Sequence, residues 1–247
     1  MKVLLVGYGF MGKEIEKIVL SRGHTIAGTV DPVSEANHKE ITPAILEKAD
    51  VVIDFSTPSS VEKNCDVYVK GKTPIVMGTT GWENIREQIG KKIDEAGIGF
   101  IWGSNFSVGA NLFVNFVGKA TALINKFPEY DILLHEYHHK RKKDSPSGTA
   151  LMTAEEIINK SDKKSAIVTE RLDRQIKADE LHVSSTRGGD IPGTHIVMFD
   201  SVADTIELTH RARNRGGFAL GSVIAAEWII NKKGFIKVED FFKELLK

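Results

Sequence analysis

Near the N-terminus, Gly7-Tyr8-Gly9-Phe10-Met11-Gly12 stands between a short apolar run, Lys2–Val6, and a stretch carrying Ile15, Ile18 and Val19 at helical spacing. A G-x-G-x-x-G placed between a strand buried on both faces and an amphipathic helix constrains this chain more than any other feature. The first glycine permits a tight turn, the second lets a pyrophosphate approach the backbone, and the third lets helix and strand pack closely. The helix N-terminus then faces the anion. Asp31 ends the second expected strand, Thr25–Val30, 19 residues beyond Gly12, where a carboxylate can hydrogen-bond a ribose 2′-hydroxyl. A bare glycine motif is common. Strand, helix, second strand and terminal acid together point to a dinucleotide site.

The same texture continues to about residue 105. Val51–Phe55, Pro74–Met77 and Ile98–Trp102 read as further buried strands, with helical patterns between them, Glu83–Ala96 among them. Short apolar strands alternating with amphipathic helices imply a doubly wound parallel sheet, an α/β unit. The pattern then changes. Leu112, Phe116, Ala120, Leu123 and Phe127 lie on one face of a long helix, Ile132–Tyr137 reads as a strand, and a basic loop, His138–Lys143, follows. After a helix near Ala150–Asn159, the region Ala166–Thr209 has strand texture without intervening helices. Thr205–Thr209 alternates strictly, so one of its faces should be wet. These strands predict a second domain, α+β, with an antiparallel or mixed sheet. Phe218–Ile230 and Val238–Leu246 return to helix. No strand is left to accompany them, so they are expected to pack back on the first domain. The expected division is residues 1–107 completed by 214–247, and 108–213.

Composition narrows the partners. In 247 residues, Lys+Arg and Asp+Glu both number 33, so no global field attracts nucleic acid or an anionic membrane. A single cysteine, Cys65, excludes an internal disulfide and a Cys-rich zinc site, and on its expected helix it reads as a core residue. The first apolar run is too short for a signal-peptide core, and nothing approaches a membrane span of about 20 residues. A reducing, cytoplasmic setting is the default expectation.

The densest chemical signal is Glu136-Tyr137-His138-His139-Lys140-Arg141-Lys142-Lys143-Asp144-Ser145-Pro146-Ser147-Gly148-Thr149. Histidine exchanges protons near neutral pH, lysine and arginine hold carboxylates, and free N–H groups at Gly148 and Thr149 would add an anion site at a helix start. Such a loop suits a small dianionic substrate that needs one proton beside a hydride. The bland alternative is a solvated basic loop. A metal site through His138 and His139 is disfavoured, because neighbouring residues on a strand point to opposite faces and no third ligand is evident; no metal is expected. A nucleic-acid patch would want an aromatic platform beside the cations.

Met77–Gly81 and Ser104–Ser107 each follow an expected strand of the first domain. They are placed either to touch the nicotinamide half of a dinucleotide or simply to join strand to helix. The glycine-rich stretch Ser184–His195 reads as a long connection between strands. Arg213 and Arg215 lie where the second domain hands back to the first, able to reach cofactor phosphates or to be solvated. An acid at position 31 repels a 2′-phosphate. NADPH sites usually place Arg or Lys beside it, yet here Pro32 follows and neither Tyr8 nor Phe10 is basic. NADH is therefore expected to serve at least as well as NADPH, with Lys13 or Arg213 able to carry a contrary preference.

GYGFMG, VIDFSTP, MGTTGW, SNFSVGANL, EYHHKRKKDSPSGTA, RGGDIPGTH and RARNRGGFALG fall in order along the whole chain. In these the sequence resembles the dihydrodipicolinate (4-hydroxy-tetrahydrodipicolinate) reductases of lysine and diaminopimelate biosynthesis. The E-x-HH-x-x-K-x-D-x-PSGTA block is the specific part. The resemblance implies a Rossmann-like nucleotide domain, a substrate-binding and oligomerisation domain with an open mixed sheet, and a homotetramer. It implies NADH or NADPH as cofactor and a small dicarboxylate cyclic imine as substrate. Carried over by motif, His138 is the acid/base and Lys142 the proton donor. His139, Gly148 and Thr149 bind the substrate carboxylates. Gly7, Tyr8, Gly9, Phe10, Met11, Gly12, Asp31, Gly78, Thr79, Thr80, Ser104, Asn105, Phe106 and Ser107 contact the dinucleotide. Pro32 and Thr57 stand where NADPH-using members often carry arginine, and the short Asp31–Lys48 segment implies an abbreviated second helix. Two other readings are weaker. A semialdehyde dehydrogenase acting covalently would need a positioned cysteine, and a dinucleotide sensor would have no use for the HHKRKK–PSGT block.

Overall fold

A computed structural model describes residues 1–247. In chain order the elements are β1 (Lys2–Val6), α1 (Phe10–Ser21), β2 (Thr25–Val30), α2 (Pro43–Leu46), β3 (Val51–Asp54), α3 (Val61–Gly71), β4 (Ile75–Met77), α4 (Arg86–Ala96) and β5 (Gly99–Trp102). There follow α5 (Val108–Ile124), β6 (Asp131–His138), α6 (Gly148–Lys160), β7 (Ala166–Val168), β8 (Glu180–Arg187), β9 (Thr194–Asp200) and β10 (Thr205–Arg211). The chain ends with α7 (Gly216–Ile229), β11 (Gly234–Lys237) and α8 (Val238–Leu245). It divides into two compact units, one made of Met1–Val108 and Arg215–Lys247, the other of Gly109–Asn214.

In the first unit a six-stranded sheet runs β11-β5-β4-β3-β1-β2, every pair parallel. Both faces of such a sheet must be covered, and β1 shows how. Val3 and Leu5 join one core with Ile15, Val19, Val223 and Phe241, from α1, α7 and α8. Leu4 and Val6 join the other, with Tyr68, Ile89 and Ile93 from α3 and α4. Each fully buried side chain of this kind stabilises by about 1.5–3 kcal/mol. Cys65 is buried in the second of these cores.

The C-terminal stretch is not helix alone, because β11 lies between α7 and α8 and pairs with β5. Four residues, three of them half-buried, leave too short an apolar run to announce a strand. The polar segment after β2 holds one helical turn, α2.

The second unit is built on a mixed sheet, β10-β9-β6-β8-β7, in which β10, β9 and β6 pair antiparallel and β6, β8 and β7 pair parallel. Phe113 and Val117 of α5, with Ala150, Ala154 and Ile157 of α6, pack on Leu134, Val183, Val197 and Phe199. Along β6 the alternation is strict, with Ile132, Leu134, Glu136 and His138 buried. The apolar stripe singled out on α5 proves to be its outer side. Phe116 is 55% and Leu123 62% exposed, whereas Ala110, Phe113, Val117 and Thr121 face inward. No helix of the chain is long and apolar enough to cross a membrane.

Candidate functional site

In the first unit the chain departs from the carboxyl ends of the strands, and a cavity of about 510 Å³ opens there. Its walls include Gly7 and Gly9 after β1, Asp31 and Pro32 after β2, and Ser56 and Thr57 after β3. Strand order reverses at β1, which lies between β2 and β3, and such a switch point is where doubly wound sheets bind ligands. Two of the three motif glycines are required by contact. Gly7 has φ +84° and an added Cβ would meet the Phe55 carbonyl oxygen at 2.1 Å; at Gly12 it would meet the Gly7 carbonyl oxygen at 2.4 Å. Beside Gly9 there is open space within 4 Å, the access a pyrophosphate needs.

Asp31 ties this wall together. Its Oδ2 accepts from the Tyr8 N–H at 2.9 Å, and its Oδ1 from the Val33 and Ser34 N–H groups at 2.8 and 2.9 Å. Burial raises its pKa, but the backbone donors outweigh that and leave it below the usual carboxylate value. An ionised carboxylate with lone pairs to spare fits a ribose hydroxyl, so the residues present suit a dinucleotide. Lys39 and Lys63, which the sequence reading passes over, line the same cavity. Arg215 lies over the ring of the exposed Phe10, 5.0 Å from its centroid.

The other turns are less open than their spacing suggests. Asp54, fully buried at the end of β3, accepts from Ser56 N, Asn64, Tyr68 and Thr79, so the Thr79 hydroxyl is already engaged. A Cβ on Gly78 would lie 2.1 Å from the Phe55 ring. The Phe106 side chain is a core group, edge-on to Phe55 at 6.2 Å, which leaves only its backbone for a ligand. Thr80 and Ser104 are exposed, and the Asn105 side chain accepts from Ser107 N.

In the second unit a single carboxylate gathers the chemistry. Glu136, on the inner face of β6, is 0% exposed. Its Oε1 accepts from Ser147 N at 3.0 Å, Ser185 Oγ at 2.8 Å and Arg187 Nη2 at 2.8 Å. Its Oε2 lies 3.3 Å from His138 Nδ1 and 3.5 Å from His195 Nε2. Register explains the cluster, because Glu136 pairs with Ser185 and His138 with Arg187 across β8, while Glu136 pairs with His195 across β9. Burial would raise the Glu136 pKa, yet contacts with His195, Ser147, Arg187 and Ser185 hold it well below the carboxylate range. His138 goes the other way. Burial lowers it to about 4, with Glu136 opposing and His195, Lys142 and Arg187 adding to the fall.

The Ser147–Thr149 turn is joined to this cluster. Ser147 caps α6 by accepting from Ala150 N, its backbone N–H goes to Glu136, and its hydroxyl meets His195 Nε2 at 3.1 Å. Gly148 and Thr149 open the helix, and the Ser145–Pro146 peptide before them is cis. Lys142 pairs with Asp144 at 2.8 Å, and Arg187 donates to the Asp144 carbonyl at 2.6 Å. His139 follows β6, its backbone N–H bound to Ile191 O at 2.8 Å. Glu136, His138 and His195 offer ligand atoms within 4.8 Å of one another, a set in which a small cation could sit, although Arg187 already compensates the carboxylate. Of this group only His138 carries a role expected from the sequence; Glu136 opens the same block, and Arg187 and His195 lie in the glycine-rich stretch, without one. Period-two spacing from His138 would have found Glu136.

Two family models cover nearly the whole chain: "Dihydrodipicolinate reductase, N-terminus" matches residues 1–106 and "Dihydrodipicolinate reductase, C-terminus" residues 109–242. The chain belongs to the dihydrodipicolinate reductase family. A 4-hydroxy-tetrahydrodipicolinate reductase of Christiangramia forsetii is 38% identical over 100% of both chains. One from Archaeoglobus fulgidus is 39% identical over 79% of this chain and 76% of its own. Among solved structures, a dipicolinate-bound dihydrodipicolinate reductase from Paenisporosarcina sp. TG-14 superposes with a TM-score of 0.76 at 23% identity, covering 97% of this chain and 98% of its own. A probable dehydrogenase from Thermotoga maritima gives 0.58 at 10% identity, over 100% and 94%. The reductase family thus accounts for the α/β unit with its parallel sheet and for the mixed sheet that follows it.

Proposed function

We propose that this reductase uses NADH or NADPH to reduce 4-hydroxy-tetrahydrodipicolinate, the substrate in its relatives' names, to tetrahydrodipicolinate in lysine and diaminopimelate biosynthesis, the 4-hydroxyl leaving as water and the hydride and one proton adding to the dehydrated ring. The observation that carries the reading is the joining of His138, through Glu136, to the Ser147 turn and its cationic loop. In this reading Met1–Val108 with Arg215–Lys247 binds the dinucleotide, and Gly109–Asn214 binds substrate and builds a homotetramer. A bound reduced nicotinamide would supply the hydride.

The chain's own groups do the rest. The N–H groups of Gly148 and Thr149 at the start of α6, with His139, hold the two carboxylates of the cyclic imine. In the free site His138 is a neutral imidazole at pH 7, because burial holds it at about 4. A dianion beside it raises that value, so the acid forms as substrate arrives. Lys142, released from Asp144, delivers the proton to the ring, and His138 accepts and passes protons. A positioned acid contributes about 10²–10⁴-fold to such a step.

On the cofactor side, Asp31 and Pro32 favour NADH, and Lys39 and Lys63 supply positive charge on the same wall that keeps NADPH usable. The test is cofactor oxidation with the substrate made in place from pyruvate and aspartate semialdehyde by a synthase. Loss of nicotinamide absorbance should require every component and proceed at least as fast with NADH. His138→Gln and Lys142→Ala should each cost orders of magnitude in kcat and leave NADH affinity nearly intact. Cofactor binding without turnover would favour a sensor instead.

A further inference from the structure

Two buried polar atoms face each other in the second unit, neither of them in an aligned hydrogen bond. They are Glu136 Oε2 and His138 Nδ1, 3.3 Å apart. A buried orphan of this kind is costly, and an ionised carboxylate can only accept. A proton on Nδ1 sits beside that carboxylate oxygen and is attracted to it, whereas a proton on Nε2 would set two lone pairs against each other. His195 Nε2, 3.5 Å away, is the other group near Oε2. The opposite nitrogen lies close to Gly193, where an added Cβ would come within 3.0 Å of Nε2, so a side chain at that position would crowd it. Meanwhile Oε1 of the same carboxylate is saturated by Ser147 N, Ser185 Oγ and Arg187 Nη2.

From this geometry we infer that Glu136 is the positioning residue of the site: one oxygen fixes His138 as the Nδ1–H tautomer with Nε2 turned to the substrate, and the other anchors the carboxylate-binding turn at Ser147. The inference rests on the proposed reaction for its kinetic consequence, though not for the placement of the proton. The groups facing His138 are Glu136 from its own strand, His195 from β9, Arg187 from β8 and Lys142 from the loop. Among them only Glu136 offers an anionic acceptor to Nδ1. Helix start and histidine are thereby held by one rigid carboxylate, so proton and carboxylates meet the ring in a fixed relation.

Glu136→Gln is the discriminating change. Two of the three groups at Oε1, the Ser147 N–H and the Arg187 guanidinium, can only donate, so the amide oxygen must face them. Its NH₂ is then pressed on His138 Nδ1, which becomes an acceptor, and the proton moves to Nε2. Neutron diffraction of wild-type and Glu136→Gln crystals grown in D₂O should find deuterium on Nδ1 in the first and on Nε2 in the second. The variant's kcat should fall by about 10²–10⁴-fold, the loss of a positioned acid/base. KM for the dicarboxylate and Kd for NADH should stay within about threefold, since Oε1 contacts survive as the amide oxygen. Deuterium on Nε2 of the wild type overturns the inference without any variant, which covers a Glu136→Gln chain that fails to fold. An unchanged tautomer in the variant, or full kcat with a reversed one, overturns it equally. A wild type that oxidises no cofactor with the cyclic imine sinks the proposed reaction instead, and the deuterium positions still decide this one.

Discussion

His138 is 6% exposed and lies among His195, Lys142 and Arg187, groups that carry positive charge or gain it on protonation. Its depressed pKa has a consequence for folding. The folded chain binds that proton only near pH 4, whereas an unfolded histidine binds it near 6.5. Between these values the unfolded state holds more protons, so the contribution is complete above about pH 6.5 and is lost as pH falls toward 4. His135 and His210, also lowered by burial, act in the same direction. The low pKa of Glu136 works in a different window, since its stabilisation is complete above the ordinary glutamate value of about 4.5 and is lost progressively as pH falls below it. Lowering the pH from 7 to 5 should therefore reduce wild-type stability, with a share of about 1–2 kcal/mol from His138. His138→Gln should show a smaller drop in Tm over that range. An equal drop in both proteins would place the acid sensitivity elsewhere. At this scale legibility followed distance along the chain. The adjacent histidines and the glycine triplet are local patterns. His195 and Arg187 enter the cluster only through register with β6, which spacing along one chain does not encode.

The turn into α6 ties an element to the Glu136–His195 cluster. Ser147 is 3% exposed, in extended conformation, with its side chain accepting from Ala150 N. Removing a serine cap costs about 1 kcal/mol, typically by freeing helix N–H groups. Here the same hydroxyl also meets His195. Ser147→Ala should accordingly lower Tm modestly and raise KM for the dicarboxylate several-fold, with Kd for NADH unmoved. A raised NADH Kd with normal substrate KM would contradict the assignment of α6 to carboxylates. Elements were legible where burial leaves a plain run. The bounds expected from the apolar residues for β1 and β2 match the structure. β11 was missed because Gly234–Lys237 draws its stability from pairing with β5 rather than from its own composition. On α5, periodicity picked an apolar stripe but not its side. Two stripes coexist on that helix, and only packing tells which one the sheet takes.

One face of the mixed sheet in the second unit is covered by α5 and α6, and the other is not covered within that unit. Leu133 on β6 pairs with Met198 on β9, and His135 with Ile196, so these side chains share the uncovered face with Tyr137. Leu133 is 42% exposed and Tyr137 37%, while Ile196 and Met198 are half-buried. Antiparallel sheets tolerate a wet face when its side chains are polar; contiguous apolar groups there call for a partner. A second copy is the occupant the family resemblance implies, and four copies would complete a closed, symmetric assembly. Light scattering at micromolar concentration should return about four times the 27.3 kDa chain mass. Leu133→Lys combined with Tyr137→Lys should split that assembly into smaller species through like-charge repulsion and lost burial. Kd for NADH should hold, because the residues lining the dinucleotide cavity all belong to the first unit. A wild-type monomer would remove the tetramer. A variant that keeps the full mass would move the interface off this face and toward the outer stripe of α5, where Phe116 and Leu123 present the next apolar surface.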